Sequence, residues 1–304
     1  MNSMNLIELC RCEEALDYTE QAVRLANKSD CDYHKCISLR CNADILHQMG
    51  RFQEALDKFE RSHELEWDYG IQYPYLLAQS EYRSCDFYCA SGLFEKATAS
   101  IVRLEKHHVN DLGESAYSGA MINIMKGQLE LYQAVEDQRP IPDLVQDHFL
   151  NALTILRQID VRQYTIKTLV PLAYSLALSN ELDEAKKALK GVQEIYDRTG
   201  DQMHRLLSAL CQSVIWAKSS PPDQERVYSF FTHYISKAEK SKFRRVLPDL
   251  KYWLAFFANR FGDVKLAQEQ LQFARKLAQD QNKKVVLANI EALQKVIDEG
   301  PTIG

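Results

Sequence analysis

Gly50-Arg51-Phe52-Gln53-Glu54-Ala55 is a short punctuation mark: Gly, an apolar residue two positions on, and Ala three after that. It returns as Gly92-Leu93-Phe94-Glu95-Lys96-Ala97, as Asn180-Glu181-Leu182-Asp183-Glu184-Ala185 and as Gly262-Asp263-Val264-Lys265-Leu266-Ala267. A degenerate copy, Cys10-Arg11-Cys12-Glu13-Glu14-Ala15, stands near the start. A mark that recurs at a spacing of about 20–50 residues signals a solenoid or array. On the N-terminal side of Gly50, Cys36, Leu39, Ala43, Leu46 and Met49 follow three- and four-residue steps; on the C-terminal side Phe52, Ala55, Leu56 and Phe59 do the same. Each side is therefore one face of a helix. Gly suits the turn between them because it enters the left-handed region without steric cost. Strand-like alternation is absent from the sequence.

Ala15, Ala55 and Ala97 stand 40 and 42 residues apart, and two repeats fit between Ala97 and Ala185 and again between Ala185 and Ala267. The period is near 42, so the helices are long. About seven antiparallel helix pairs are predicted, at roughly 1–27, 33–67, 73–108, 113–158, 162–199, 203–241 and 246–280, with a closing helix at 283–298. Together they make one repeat domain spanning 1–304. Two turns lose the Gly mark, at Arg139-Pro140-Ile141-Pro142 and at Ser219-Ser220-Pro221-Pro222-Asp223. Proline ends one helix there and is tolerated at the start of the next.

Composition narrows the function classes. The chain has 304 residues, a net charge of −5 and an apolar share of 46%. That charge gives no general attraction to nucleic acid or anionic membranes. No apolar run reaches the roughly 18 residues of a bilayer span. Met1-Asn2-Ser3-Met4-Asn5 lacks the basic and apolar regions of a secretory signal. The eight cysteines fall mostly at helical apolar positions, where a reduced thiol acts as a small hydrophobe. A cytoplasmic setting with reduced thiols is expected.

The pattern resembles the tetratricopeptide repeat. In that family a small residue seven positions before the turn Gly and an Ala five after it mark where the two helices pack most closely. Ala43, Cys85, Ala173 and Ala255 match the first position, and Ala55, Ala97, Ala185 and Ala267 the second. A further small position is Ser62 and Ala274, with Leu104 and Val192 as departures. The resemblance implies an all-α, right-handed superhelical solenoid. The long period and the wording Tyr75-Leu76-Leu77-Ala78-Gln79-Ser80-Glu81-Tyr82-Arg83-Ser84-Cys85-Asp86 also resemble the helical sensor regions of bacterial signal-transduction NTPases. That finer resemblance implies a sensor or adaptor acting with an attached or partner NTPase or effector domain. The first unit begins late relative to the others, as either a truncated first helix or an excerpt of a longer protein would show.

Motifs for chemistry are sparse. Gly-x-x-x-x-Gly-Lys, Gly-x-Ser-x-Gly and His-Glu-x-x-His are absent, so no enzyme activity and no cofactor are expected. Cys31, His34, Cys36 and Cys41 cluster in sequence, but their spacing spreads them around a helix instead of gathering a tetrahedral metal site. Cys85 and Cys89 share a face, with Cys85 at the close-packing position. His107-His108 reads as a helix C-terminus. Lys237, Lys240, Lys242, Arg244 and Arg245 form the densest basic run, beside Phe243, which is able in principle to stack on a base. A helix end and a solvated loop account for it more simply. The aromatics of Trp67-Asp68-Tyr69-Gly70-Ile71-Gln72-Tyr73-Pro74-Tyr75 read as staples between repeats.

Function is expected in the concave groove, lined by the first helices of successive units. Carrying over the family's groove positions by their offset from each turn names Arg40, Asp44, His47 and Gln48; Gln79, Tyr82 and Asp86; Lys167 and Tyr174; and Asp249, Tyr252, Phe256 and Asn259. Aromatics, amides and both signs of charge suit a protein or peptide ligand. The groove lacks the basic set that captures a C-terminal carboxylate in chaperone-type arrays.

Overall fold

The computed structural model describes residues 3–65, 74–110 and 116–299. Within them the chain is all helix, with no strand among the described residues. In chain order the helices are α1 (Ser3–Glu8), α2 (Cys12–Ala26), α3 (Asp32–Gln48), α4 (Phe52–Glu64), α5 (Pro74–Ala90), α6 (Phe94–Asn110), α7 (Ala116–Glu136) and α8 (Asp143–Gln158). They continue as α9 (Arg162–Leu178), α10 (Leu182–Thr199), α11 (Gln202–Lys218), α12 (Gln224–Lys240), α13 (Leu247–Arg260), α14 (Val264–Asp280) and α15 (Lys284–Glu299). A single 3-10 turn, Arg244–Val246, leads into α13. Odd- and even-numbered neighbours pack as pairs, and odd-numbered helices also pack on one another along the array. This is a helical-repeat arrangement. No helix is long and apolar enough to cross a membrane among the described residues. Most of the aromatic stretch 67–75 lies outside the described residues; Tyr75 itself packs on Tyr117, ring centroids 4.5 Å apart.

The turns share one hydrogen-bonding scheme. Gly50 has φ 73°, and the Arg51 N–H closes the helix on the Leu46 carbonyl at 2.9 Å. The same six-residue closure joins Leu93 to Tyr88, Glu181 to Leu176 and Asp263 to Ala258. It satisfies carbonyls the helix end would leave bare. The scheme also occurs where no Gly or Asn announces it: Cys10, Gln138 and Asp160 take φ of 55°, 53° and 50°, each followed by the same bond. The backbone geometry of the repeat thus persists where its sequence mark has decayed.

The small-residue positions are where helices meet. Ala43, Ala55, Cys85, Ala97, Ala173, Ala185, Ala255 and Ala267 are all fully buried. Ser62, Leu104, Val192 and Ala274 are buried as well, so the two larger residues are held inside the packing too. Close packing of this kind leaves little room for added volume.

The array curls far enough for its ends to meet. Helix α1 packs on α11, the 3-10 turn packs on α3, and α15 packs on α7. Leu6 and Ile7 of the short α1 are buried in that contact. The turns fit closely too: a Cβ on Gly50 would stand 2.7 Å from Gln281 Nε2 and 3.3 Å from Arg244 Cβ. Asn282 Nδ2 donates to the Ser91 carbonyl at 3.1 Å. The expected open groove is therefore drawn into a partly enclosed central cavity.

Candidate functional site

The cavity has a volume of about 190 Å3 and is walled by the odd-numbered helices from α1 to α15. These helices face inward because their outer sides are spent on packing against their even-numbered partners. Of the groove positions expected from sequence, Asp44, Gln48, Tyr82, Asp86, Lys167, Tyr174 and Asp249 line the cavity. Apolar walls come from Leu131, Val135, Val170, Leu207, Trp253 and Val286, among others. An apolar lining with a few placed polar groups is the ordinary character of a ligand site.

The other expected positions lie elsewhere, for physical reasons. Arg40 is 2% exposed; it donates from Nε to Ser62 Oγ at 3.0 Å and stands 3.7 Å from the Glu81 carboxylate. Glu81 is fully buried and is met by Arg103 at 2.9 Å and by His63 at 3.8 Å. Burial alone would raise the Glu81 carboxyl, but His63, Arg40 and Arg103 more than reverse this and hold it at about 2. Arg40 is thus a structural cation between pairs. His47 is buried edge-on against Phe87, ring centroids 5.0 Å apart. Gln79, Tyr252, Phe256 and Asn259 are outside the cavity lining. Tyr252 and Phe256 instead pack against the cluster formed by α13, α14 and α15. On α13 the cavity is lined by Asp249 and Trp253.

Ten charged side chains surround the cavity: Arg83, Lys167, Arg245, Lys283 and Lys284 against Glu8, Asp44, Asp86, Glu136 and Asp249. Several are already committed. Arg245 grips Asp86 with both ends of its guanidinium, Nη1 to Oδ2 at 2.8 Å and Nη2 to Oδ1 at 3.2 Å. Gln128 Nε2 also donates to Asp86 Oδ1, at 3.2 Å, and Gln48 Nε2 donates to Asp44 at 3.0 Å. Lys283 pairs with Asp249 at 2.5 Å. Burial of Tyr132 and Tyr174 pushes both phenols up, so they remain neutral donors.

Other groups are not committed. Gln128 Oε1 and Glu136 Oε2 are buried with no hydrogen-bond partner among the described residues, and so is Arg83 Nε. The remaining bond of Arg83 runs from Nη1 to Cys41 Sγ at 3.4 Å. Lys167 is 9% exposed, and its ammonium lies 4.9 Å from the centre of the Tyr164 ring and 5.9 Å from that of Tyr82. Pro171, one helical turn later and also in the lining, has no N–H to give the Lys167 carbonyl. His204, at the first turn of α11, must donate from Nδ1 to Asp201 Oδ2 at 2.5 Å, since the carboxylate only accepts. Burial works against the Asp201 charge, yet the His204 ring and backbone N–H hold its carboxyl below the usual range.

Sequence reasoning missed Arg245, Arg83, Gln128 and His204. Arg245 is the instructive case. It stands in the basic run that reads as a helix end and a loop, yet it is 9% exposed and turned into the cavity. Phe243 beside it is fully buried in the core, so it offers no face to a nucleic-acid base. The signal available in sequence was Pro248, which starts a new helix directly after the run and makes its last residues part of a tight junction.

The cysteines are all free thiols. Burial raises Cys10, Cys12 and Cys211 to about 12. Cys85 and Cys89 sit 3.8 Å apart inside the core. No group of three or more His, Cys, Asp or Glu side chains able to hold a metal ion occurs among the described residues. No protein family matches this chain, and no curated protein was found to be similar to it. The class that the fold defines is an all-α helical-repeat protein.

Proposed function

We propose that the chain is a non-enzymatic recognition module whose ligand, a short peptide or a peptide-like molecule, binds in the central cavity. The observation that carries this is the wall itself: one cavity is lined by helices from every part of the array, and polar groups in it stand without partners. A ligand touching α5, α9 and α13 at once adds to the few direct contacts, such as Arg245 with Asp86, that already join distant repeats. Such a ligand favours one pitch of the array over another, which is how binding would pass to an attached or partner domain. The reading is of a tetratricopeptide-type, right-handed superhelix used as a sensor or adaptor, with the Gly-x-apolar-x-x-Ala mark supporting the family. The limited volume favours a compact ligand over a long extended peptide.

The test is hydrogen exchange on the full chain with and without a ligand found by thermal-shift screening of short peptides. Simultaneous protection of α5, α7, α9, α11 and α13 is expected. Protection confined to the outer, even-numbered helices would place the ligand elsewhere and end the proposal.

A further inference from the structure

Lys167 turns its ammonium to the cavity without a direct counter-ion: Asp201 feels its charge but is bonded to His204. It is nine-tenths buried, lines the cavity, and makes no hydrogen bond or ion pair with any described residue. Its ammonium rests over the Tyr164 and Tyr82 rings. A cation over an aromatic face is attracted by the ring quadrupole. The rings accept no hydrogen bond of ordinary strength, so the three N–H donors of Lys167 are left without an acceptor among the described residues. The nearby Asp201 carboxylate is taken by His204. A site that keeps such a charge has a use for it.

We infer that Lys167 is the anion-binding residue of the cavity and that the ligand carries a single carboxylate on a small apolar body. This rests on the cavity being the binding site. The volume of about 190 Å3 sets the size. It is somewhat larger than the roughly 150 Å3 that accepts a benzene ring, so the body is on the order of ten non-hydrogen atoms. The neighbouring Val170, Leu207 and Trp253 give it an apolar bed. The charge balance of the lining selects a monoanion. Five cations face five carboxylates, so the lining is neutral as a whole, and Lys167, which like Arg83 and Lys284 has no ion pair, offers a single positive charge on α9. The carboxylate is met by Lys167 while its apolar body lies along α9 and α11.

The experiment uses the full chain and matched probes: benzoate with benzamide, 4-methylpentanoate with 4-methylpentanamide, and inorganic phosphate, followed by calorimetry or ligand-observed NMR. In the parent protein each acid should bind about tenfold or more tighter than its amide, the difference expected of a charge-assisted contact. Lys167→Met should bring that ratio to about one, and Lys167→Arg should retain most of it. Lys167→Met should also melt no lower than the parent without ligand, since it removes an unpaired charge; Lys167→Gln serves if the Met variant does not fold. Acids and amides binding alike in the parent would overturn the anion site and leave the cavity reading standing. Phosphate binding tighter than either acid would overturn the carboxylate assignment. No probe binding at about 10 mM, the weak limit of a specific contact, would remove both the anion site and the cavity as a small-ligand site.

Discussion

Arg245 and Asp86 are 159 residues apart in sequence and form a two-pronged ion pair across the central cavity, at 2.8 and 3.2 Å. Their side chains are 11% and 17% exposed, so the pair works largely out of water. It ties the junction before α13 to α5 and is one of several contacts that close the array.

Removing one partner leaves the other charge buried alone. Asp86→Leu and Arg245→Met should each destabilise the protein by about 3 kcal/mol. The double variant should lose less than the sum, because neither charge then remains unpaired. Urea unfolding of the four proteins measures this, and additive losses would show that the pair contributes nothing as a pair.

The fit of Gly50 against the C-terminal repeat makes a matched comparison possible. Gly50→Ala and Gly262→Ala both place an L-residue at positive φ, at a cost of about 1–2 kcal/mol. Nothing lies within 4 Å of a Cβ at Gly262, whereas at Gly50 it would displace the Gln281 amide that donates to the Arg244 carbonyl at 3.0 Å. Gly50→Ala should therefore cost about 1 kcal/mol more, the worth of that bond. Equal melting temperatures for the two variants would contradict the closure of the array at this point.

Acid should weaken the fold from near-neutral pH downward. Burial holds His63 at about 3, below its ordinary 6.5, and burial holds His47 well below 6.5 too. A His kept neutral in the fold contributes stability that is complete above 6.5 and is lost as pH falls below it, because only the unfolded chain takes up the proton. Each contributes a slope of up to about 1.4 kcal/mol per pH unit. Glu81, held at about 2 against an ordinary 4.5, adds a loss of the same sign between those values. Denaturation midpoints across pH 4–8 should fall on the acid side, and His63→Gln should flatten the curve near pH 5–6.

Thiol reactivity should divide the cysteines by burial. Cys31 and Cys41 are partly exposed, whereas Cys10, Cys12, Cys36, Cys85, Cys89 and Cys211 are buried. Only thiolate reacts appreciably, and Cys10, Cys12 and Cys211 are pushed up to about 12. A disulfide-exchange reagent at pH 8 should modify Cys31 and Cys41 first and the others only on unfolding. Early labelling of Cys211, in the cavity wall, would mean that the cavity opens freely.

The sequence alone determined the helices, their pairing and the residues at which they touch. These are local properties: three- and four-residue spacing sets a helical face, and a Gly or Asn five before an Ala sets a turn and a close contact. Ala43 with Ala55 and Ala255 with Ala267 needed no other information. Where the mark decays, as at Cys10, Gln138 and Asp160, the left-handed turn still forms. Asp44, Tyr82, Asp86, Lys167 and Tyr174 were also legible as inward-facing, since each keeps a fixed offset from its own turn. Only the tertiary structure decided that the array closes on itself. A change of a few degrees per repeat moves the last pair by many ångströms after seven, and nothing in a local pattern encodes that sum. Closure brought Arg245 to Asp86, put His47 beside Gln281 and Lys283, and set Lys167 in the wall of a cavity.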